Sequence, residues 1–69
     1  MTVIYVEPSC PYCAAAVQEL QSRGEPFEVV DILADPAGRE RLARLTADTM
    51  VVPVIVEANG SVRYTFGSG

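Results

Sequence analysis

A strand, a helix and a second strand follow one another within the first 32 residues, and this order constrains the fold most strongly. The run TVIYV at 2–6 is β-branched and aromatic, which favours a buried strand. Apolar and small residues at helical spacing follow over 13–20, and Gly24 with Pro26 ends that helix. A second apolar run occupies 27–32. Two strands joined through a helix are expected to be parallel, with a right-handed crossover.

The rest of the chain predicts a second helix and an antiparallel hairpin. Asp35-Pro36 combines an N-cap acceptor with a proline at the first helical position, and the helix is expected to reach about Thr46. Apolar residues alternate over 52–56 and 62–66, and Asn59-Gly60 between them is a type I′ turn signal. The predicted order is β-α-β-α-β-β, an α/β fold with a four-stranded mixed sheet and helices packed on it.

The two cysteines of the chain, Cys10 and Cys13, stand two residues apart at the start of the first helix. Cys13 falls on the same helical stripe as Val17 and Leu20, so its sulfur is expected to point toward the core. Cys10 lies one turn earlier, at the exposed positive end of the helix, which favours a thiolate, and Pro11 suits the first turn. One exposed and one buried thiol within bonding distance are typical of a nucleophile and its resolving partner.

Other roles for the cysteine pair remain open on the sequence. A structural disulfide would close a loop of only four residues and constrain the unfolded chain very little. The pair could also be buried core cysteines, or half of a zinc or iron–sulfur site shared by two chains. A bare C-x-x-C is a weak motif, but after a strand, at a helix start and inside a βαβ pattern it indicates thiol redox chemistry.

Composition and charge narrow the class of protein. The 69 residues are enough for one small domain, 1–69, and the net charge is −4. Three of the five cations, all of them arginines, fall in GRERLARL at 38–45, which we interpret as the solvated side of a helix. No apolar run approaches the ~20 residues of a membrane span, and no basic segment precedes the first apolar run. We therefore expect a cytoplasmic protein without an export signal that binds neither membranes nor nucleic acid.

These residues resemble the dithiol glutaredoxins of the thioredoxin superfamily. The resemblance rests on CPYC at 10–13, on the strand IYV and loop EPS before it, on VVP at 51–53 and on the glycine-rich end at 67–69. It extends along almost the whole chain. It implies a thioredoxin-like fold and an enzyme, a thiol–disulfide oxidoreductase, in which Cys10 attacks and Cys13 resolves.

The resemblance also implies how a substrate would be held. Pro53 would be a cis-proline facing the cysteines, and Pro11 and Tyr12 would support and line the site. Glutathione, the implied co-substrate, would pair its backbone with Val52 as a short added strand. Gly67-Ser68 would hold its carboxylates. No cofactor or metal is expected to be bound permanently.

Three features depart from the family pattern. Many glutaredoxins carry a lysine where this chain has Glu7, which changes an attraction for a glutathione carboxylate into a repulsion. Val51 stands in place of the usual threonine. The sequence stops at Gly69, where the family continues into a third helix on the same sheet face as the first, so we expect a short form with the C-terminal helix missing. Apolar sheet surface is then expected to be uncovered near the last hairpin, in a monomer or weak homodimer.

The leading functional prediction is an oxidoreductase that reduces protein disulfides or mixed disulfides with glutathione. One alternative is a redoxin recharged by a thioredoxin reductase, of the type that serves ribonucleotide reductase, since its ending also puts an aromatic residue and a glycine where Phe66 and Gly67 stand. Another is an iron–sulfur or soft-metal module, with Cys10 and Cys13 contributed by each chain of a dimer. The substrate, the reductant and the oligomeric state stay open.

Overall fold

The computed structural model describes residues 1–49 and 51–64. It shows a mixed four-stranded sheet with one helix packed on each face. The elements are β1 (Thr2–Val6), α1 (Pro11–Arg23), β2 (Phe27–Asp31), α2 (Pro36–Leu45), β3 (Val54–Val56) and β4 (Val62–Tyr64). The predicted order of elements is confirmed, and most predicted ends lie within one residue of the observed ones. Within the described ranges, no helix is long and apolar enough to cross a lipid bilayer.

The strand order β2-β1-β3-β4 brings three loops to one end of the sheet. β1 runs parallel to β2, with Val6 opposite Asp31, and antiparallel to β3, with Tyr5 opposite Val54. β1 and β2 therefore both end where β3 begins. The loop that leads from β1 to the cysteines, the loop that follows β2 and the 51–53 loop before β3 all lie at this end, which we call the cysteine end.

The first helix packs on one face of the sheet. Ala16 and Leu20 of α1 are buried against Ile4 of β1 and Ile55 of β3, all at most 2% exposed. The helix ends at Gly24, whose left-handed backbone (φ +72°) lets its N–H reach the Gln21 carbonyl. The packing fixes the direction in which the first turn of α1 presents its side chains.

The second helix covers the opposite face. Leu42 is buried with Tyr5, Val30 and Val54, because successive residues of a strand point to opposite sides of the sheet. Gly38 lies inside this helix because a Cβ there would overlap the side chain of Val30. Because Gly38 has no Cβ, α2 can approach β2 closely.

The start of α2 follows the predicted cap. The Asp35 carboxylate accepts a hydrogen bond from the Gly38 N–H at 3.1 Å, and Pro36 is the first helical residue. Thr46 is the C-cap, and its N–H donates to the Leu42 carbonyl. A local sequence signal therefore decides where this helix starts.

Two predictions about the hairpin region are corrected. β3 starts at Val54, whereas residue 52 was predicted as its start, because Pro53 has no N–H to donate to a strand ladder. The turn is not type I′, since that turn needs a left-handed backbone at both central residues, and only Gly60 has a positive φ (+91°). Gly60 N–H donates to the Glu57 carbonyl, and Glu57 N–H donates to Ser61. This pattern fits a three-residue loop that ends in a glycine bulge.

Ion pairs occupy the α1 face of the hairpin in the part of the chain that the structure describes, where apolar surface was predicted. Arg63 lies opposite Ile55 and approaches Glu57 at 3.0 Å and Glu19 of α1 at 3.9 Å. Arg23 contacts the same two carboxylates at 3.4 Å. Two cations and two anions thus alternate in a ring that links α1 to the hairpin, and the prediction of bare apolar surface here is wrong for the described residues. The predicted continuation of β4 to Phe66 lies outside them.

Candidate active site

The end of β1 delivers both cysteines to the start of α1. After Val6 the chain turns through residues 7–9, and the Cys10 N–H donates to the Glu7 carbonyl at 3.3 Å. Cys10 is the N-cap residue of α1, with extended backbone angles (φ −91°, ψ 113°). Cys13 lies in the first turn and is only 3% exposed, whereas Cys10 is half-buried. The predicted burial of Cys13 is confirmed, whereas Cys10 is half-buried and not exposed as predicted.

A hydrogen bond joins the two residues. The Cys13 N–H donates to the sulfur of Cys10 at 3.2 Å, so the Cys10 side chain has the part that serine or aspartate takes at other helix starts. The N-terminal end of a helix carries partial positive charge, and its free N–H groups favour a negative sulfur. The same contact therefore caps the helix and directs a backbone donor at the Cys10 sulfur.

The surroundings of Cys13 raise the pKa of its thiol. Burial raises the pKa of Cys13 to about 12, and its side-chain hydrogen bond with Cys10 acts in the same direction. A backbone hydrogen bond from Glu7 lowers the pKa, whereas the negative charges of Cys10 and Glu7 raise it. Cys13 is consequently a neutral thiol at physiological pH.

The other predicted site residues that the structure describes lie in the first turn of α1 and in the loop before β3, both at the cysteine end. Pro11 occupies the first helical position and Tyr12 follows it, with 54% of Tyr12 exposed. The Val52–Pro53 peptide bond is cis, as the resemblance implied. Pro53 is buried and Val52 half-buried, in the loop that the sheet topology brings to this end. Gly67-Ser68, predicted to bind glutathione carboxylates, lies outside the described residues.

A groove beside the cysteines was not predicted from the sequence. It follows the seam between β1 and α1 and is lined by both cysteines, by Val6 and by Ala14 and Val17. Ala14 and Val17 stand four and seven residues after Cys10, which is the spacing of one helical face. That spacing from the first cysteine is the signal that could have identified them.

For the alternative function as a metal-binding module, the site offers two protein ligands, Cys10 and Cys13. Within residues 1–49 and 51–64, no group of three or more histidine, cysteine or acidic side chains could hold a metal ion. The cysteine pair supplies two of the four ligands that a zinc or iron–sulfur centre usually takes. Such a centre would need thiolates from a second chain.

Comparison with known proteins agrees with this architecture. The glutaredoxin family model matches residues 2–62. Glutaredoxin 3 of Escherichia coli K12 is 33% identical over 55 residues, which are 80% of this chain and 66% of that protein, and Glutaredoxin 3 of strain O157:H7 gives the same values. The match thus spans about two thirds of the length of these curated relatives.

Solved structures give the same fold. The thioredoxin-like protein BC3987 and a mutant of it each superpose with a TM-score of 0.82 and 29% sequence identity. The alignments cover 96% of this chain and 88% and 86% of those chains. The fold, with its cysteine pair at the start of the first helix, is that of a thioredoxin-like protein. Within that class the chain belongs to the glutaredoxin family, which confirms the resemblance read from its motifs.

Proposed function

We propose that this protein is a thiol–disulfide oxidoreductase that reduces protein disulfides or mixed disulfides with glutathione. Cys10 is the proposed nucleophile and Cys13 the proposed resolving thiol. The observation that carries the proposal is the 3.2 Å hydrogen bond from the Cys13 N–H to the Cys10 sulfur, above a buried second thiol. Membership of the glutaredoxin family supports the same thiol–disulfide redox function.

The proposed reaction is a two-electron exchange. The Cys10 thiolate attacks one sulfur of the substrate disulfide, and the other sulfur leaves as a thiolate and takes up a proton. Cys13 then attacks the Cys10 sulfur of the mixed disulfide, which forms the Cys10–Cys13 disulfide and releases the second substrate thiol. The substrate gains two electrons and two protons, and the protein dithiol supplies both.

The electrostatics of Cys13 support this order of events. Two of the effects that raise its pKa are the hydrogen bond with the Cys10 side chain and the negative charge of Cys10. Both are removed when Cys10 enters a mixed disulfide, because its sulfur is then neutral and bonded. The pKa of Cys13 is therefore expected to fall at the step that needs its thiolate.

The proposed substrate surface lies around Cys10. The exposed Tyr12 and the loop that carries Val52 and cis-Pro53 lie at the same end of the sheet as Cys10 and are the proposed flanks of this surface. An extended peptide, either glutathione or a segment of a disulfide-bearing protein, can add to this loop through backbone hydrogen bonds with Val52. Gly67-Ser68 remains the proposed contact for glutathione carboxylates.

A coupled assay tests the proposal. Hydroxyethyl disulfide is supplied with glutathione, glutathione reductase and NADPH, and NADPH oxidation is followed. We expect turnover by the wild type and by Cys13→Ser, in which glutathione replaces the resolving thiol, and none by Cys10→Ser. Full activity of Cys10→Ser would contradict the proposed nucleophile.

A second candidate is a redoxin recharged by a thioredoxin reductase. The structural likeness to the thioredoxin-like protein BC3987, at 29% sequence identity, favours it. Replacing glutathione and its reductase by thioredoxin reductase in the same assay separates the two candidates. Turnover with the thioredoxin system alone would support the second, provided that it requires both Cys10 and Cys13.

A further inference from the structure

The groove along the seam of β1 and α1 has apolar walls. Val6, Ala14 and Val17 line it, and both redox sulfurs lie in the same lining. A substrate disulfide that reaches Cys10 can place the atoms next to its own sulfur in this groove, because Cys10 is part of the groove lining. The groove can therefore contact the chemical group that flanks the substrate disulfide.

Glu7 gives the groove its charge. Among the described residues that line it, Glu7 is the only acidic or basic side chain. Its carboxylate accepts a hydrogen bond from the Ser9 hydroxyl at 3.2 Å, while the ion pairs found within residues 1–49 and 51–64 use Glu19, Glu40 and Glu57. The negative charge of Glu7 also reaches the thiols, since it contributes to the raised pKa of Cys13.

Apolar walls beside one carboxylate suit a particular kind of occupant. A cationic group on an aliphatic stem can lay its methylene groups along Val6 and Val17 and bring its charge to Glu7. An anionic group would meet repulsion from Glu7 and from the protein as a whole, whose net charge is −4.

We infer that this groove is a subsite for a cationic side chain next to the substrate disulfide, and that Glu7 determines this specificity. The inference rests on the proposed function, because it concerns the same thiol site. It names the class of disulfide that this site prefers, which is one flanked by lysine, arginine or another aliphatic cation. The chemical step is the exchange already described. Glu7 acts on binding of the disulfide and takes no part in the transfer of electrons.

Three small disulfides of similar size test the subsite. They are the cationic 2-aminoethyl disulfide, the neutral 2-hydroxyethyl disulfide and the anionic carboxymethyl disulfide. The prereduced protein is mixed with each in a single turnover without added reductant, and formation of the Cys10–Cys13 disulfide is followed by mass spectrometry. We expect the wild type to react with the cation about fivefold faster than with the neutral compound, and more slowly still with the anion.

Matched variants assign the preference to Glu7. Glu7→Gln is expected to lower the cation-to-neutral rate ratio clearly below the wild-type value, and Glu7→Lys to lower it further. Glu25→Gln is the control, because it removes the same charge from an exposed residue at the opposite end of the sheet and should keep the wild-type ratio. High salt is expected to reduce the preference of the wild type, which tests the subsite without any substitution.

The outcomes separate the two proposals. If the neutral disulfide does not oxidise the cysteine pair, or if Cys10→Ser forms a mixed disulfide through Cys13 as fast as the wild type reacts, the proposed function is wrong. If the neutral disulfide reacts through Cys10 but the three rates are equal, or if Glu7→Gln keeps the wild-type ratio, the proposed function stands and the cationic subsite is overturned.

Discussion

The backbone N–H of Cys13 donates to the sulfur of Cys10 at 3.2 Å, while the sulfur of Cys13 itself is buried in the core. One residue therefore supplies the backbone donor that contacts the Cys10 sulfur and also the neutral thiol that can later displace the substrate sulfur from Cys10. Both roles follow from a single helical turn that starts at a proline.

Alkylation is expected to distinguish the two thiols. At neutral pH, iodoacetamide should modify Cys10 at least ten times faster than Cys13, because Cys13 is 3% exposed and its pKa is raised to about 12. Mass spectrometry of the reduced protein should show one adduct on Cys10 first, and a second adduct after unfolding in urea. Equal rates at the two positions in the folded protein would contradict the buried resolving thiol.

Alkaline pH is expected to destabilise the reduced protein through Cys13. Its pKa is about 12 in the folded state, whereas unfolding returns the thiol to an ordinary value of 9.0. Between about pH 9 and about pH 12 the unfolded chain releases a proton that the folded chain keeps, so the free energy of unfolding falls as the pH rises. Below about pH 9 this contribution is fully present.

Urea unfolding under reducing conditions measures this effect. Cys13→Ala should lose less stability than the wild type between about pH 8 and about pH 11, since the other titrating groups are shared by both proteins. Parallel pH profiles of the two proteins would show that burial of Cys13 does not hold its proton.

Gly38→Ala is expected to lower the free energy of unfolding by about 1–3 kcal/mol. The added methyl group would overlap the Val30 side chain and push α2 away from β2. Chemical denaturation of Gly38→Ala, Val30→Ala and the double variant measures the coupling between the two positions. The double variant should lose less stability than the sum of the losses in the two single variants, because the smaller residue 30 leaves room for the methyl group. Strict additivity would rule out the close approach as the cause.

Ala47→Gly is expected to stabilise the protein by about 0.5–1 kcal/mol. Ala47 follows the C-cap of α2 with φ +51°, in the left-handed region that glycine occupies without a Cβ penalty. The matched control is Ala43→Gly inside α2, which should destabilise by about 1 kcal/mol because glycine disfavours a helix interior. Thermal or urea unfolding checks both, and destabilisation by Ala47→Gly would refute the assigned backbone strain.

Local sequence signals determined the elements and the thiol pair. The β-branched run of β1, the cap at Asp35-Pro36 and Gly24 after α1 act within a few residues of where they stand, so each could be read correctly without the fold. The helical stripe that contains Cys13 predicted its burial for the same reason. Pro53 was interpreted correctly through the family motif, since nothing local distinguishes a cis-proline from an ordinary one.

Tertiary structure decided the features that join distant segments. The hydrogen bond from Glu57 to Ser61, next to the pairing of Val56 with Val62, leaves a three-residue loop, which overrides the type I′ preference of Asn59-Gly60. The ring of Glu19, Arg23, Glu57 and Arg63 forms because α1 crosses the sheet beside the hairpin. The groove that joins Val6 and Glu7 to Ala14 and Val17 exists because α1 lies against the end of β1. Short-range preferences cannot specify such contacts, because they depend on how the packed elements are placed in space.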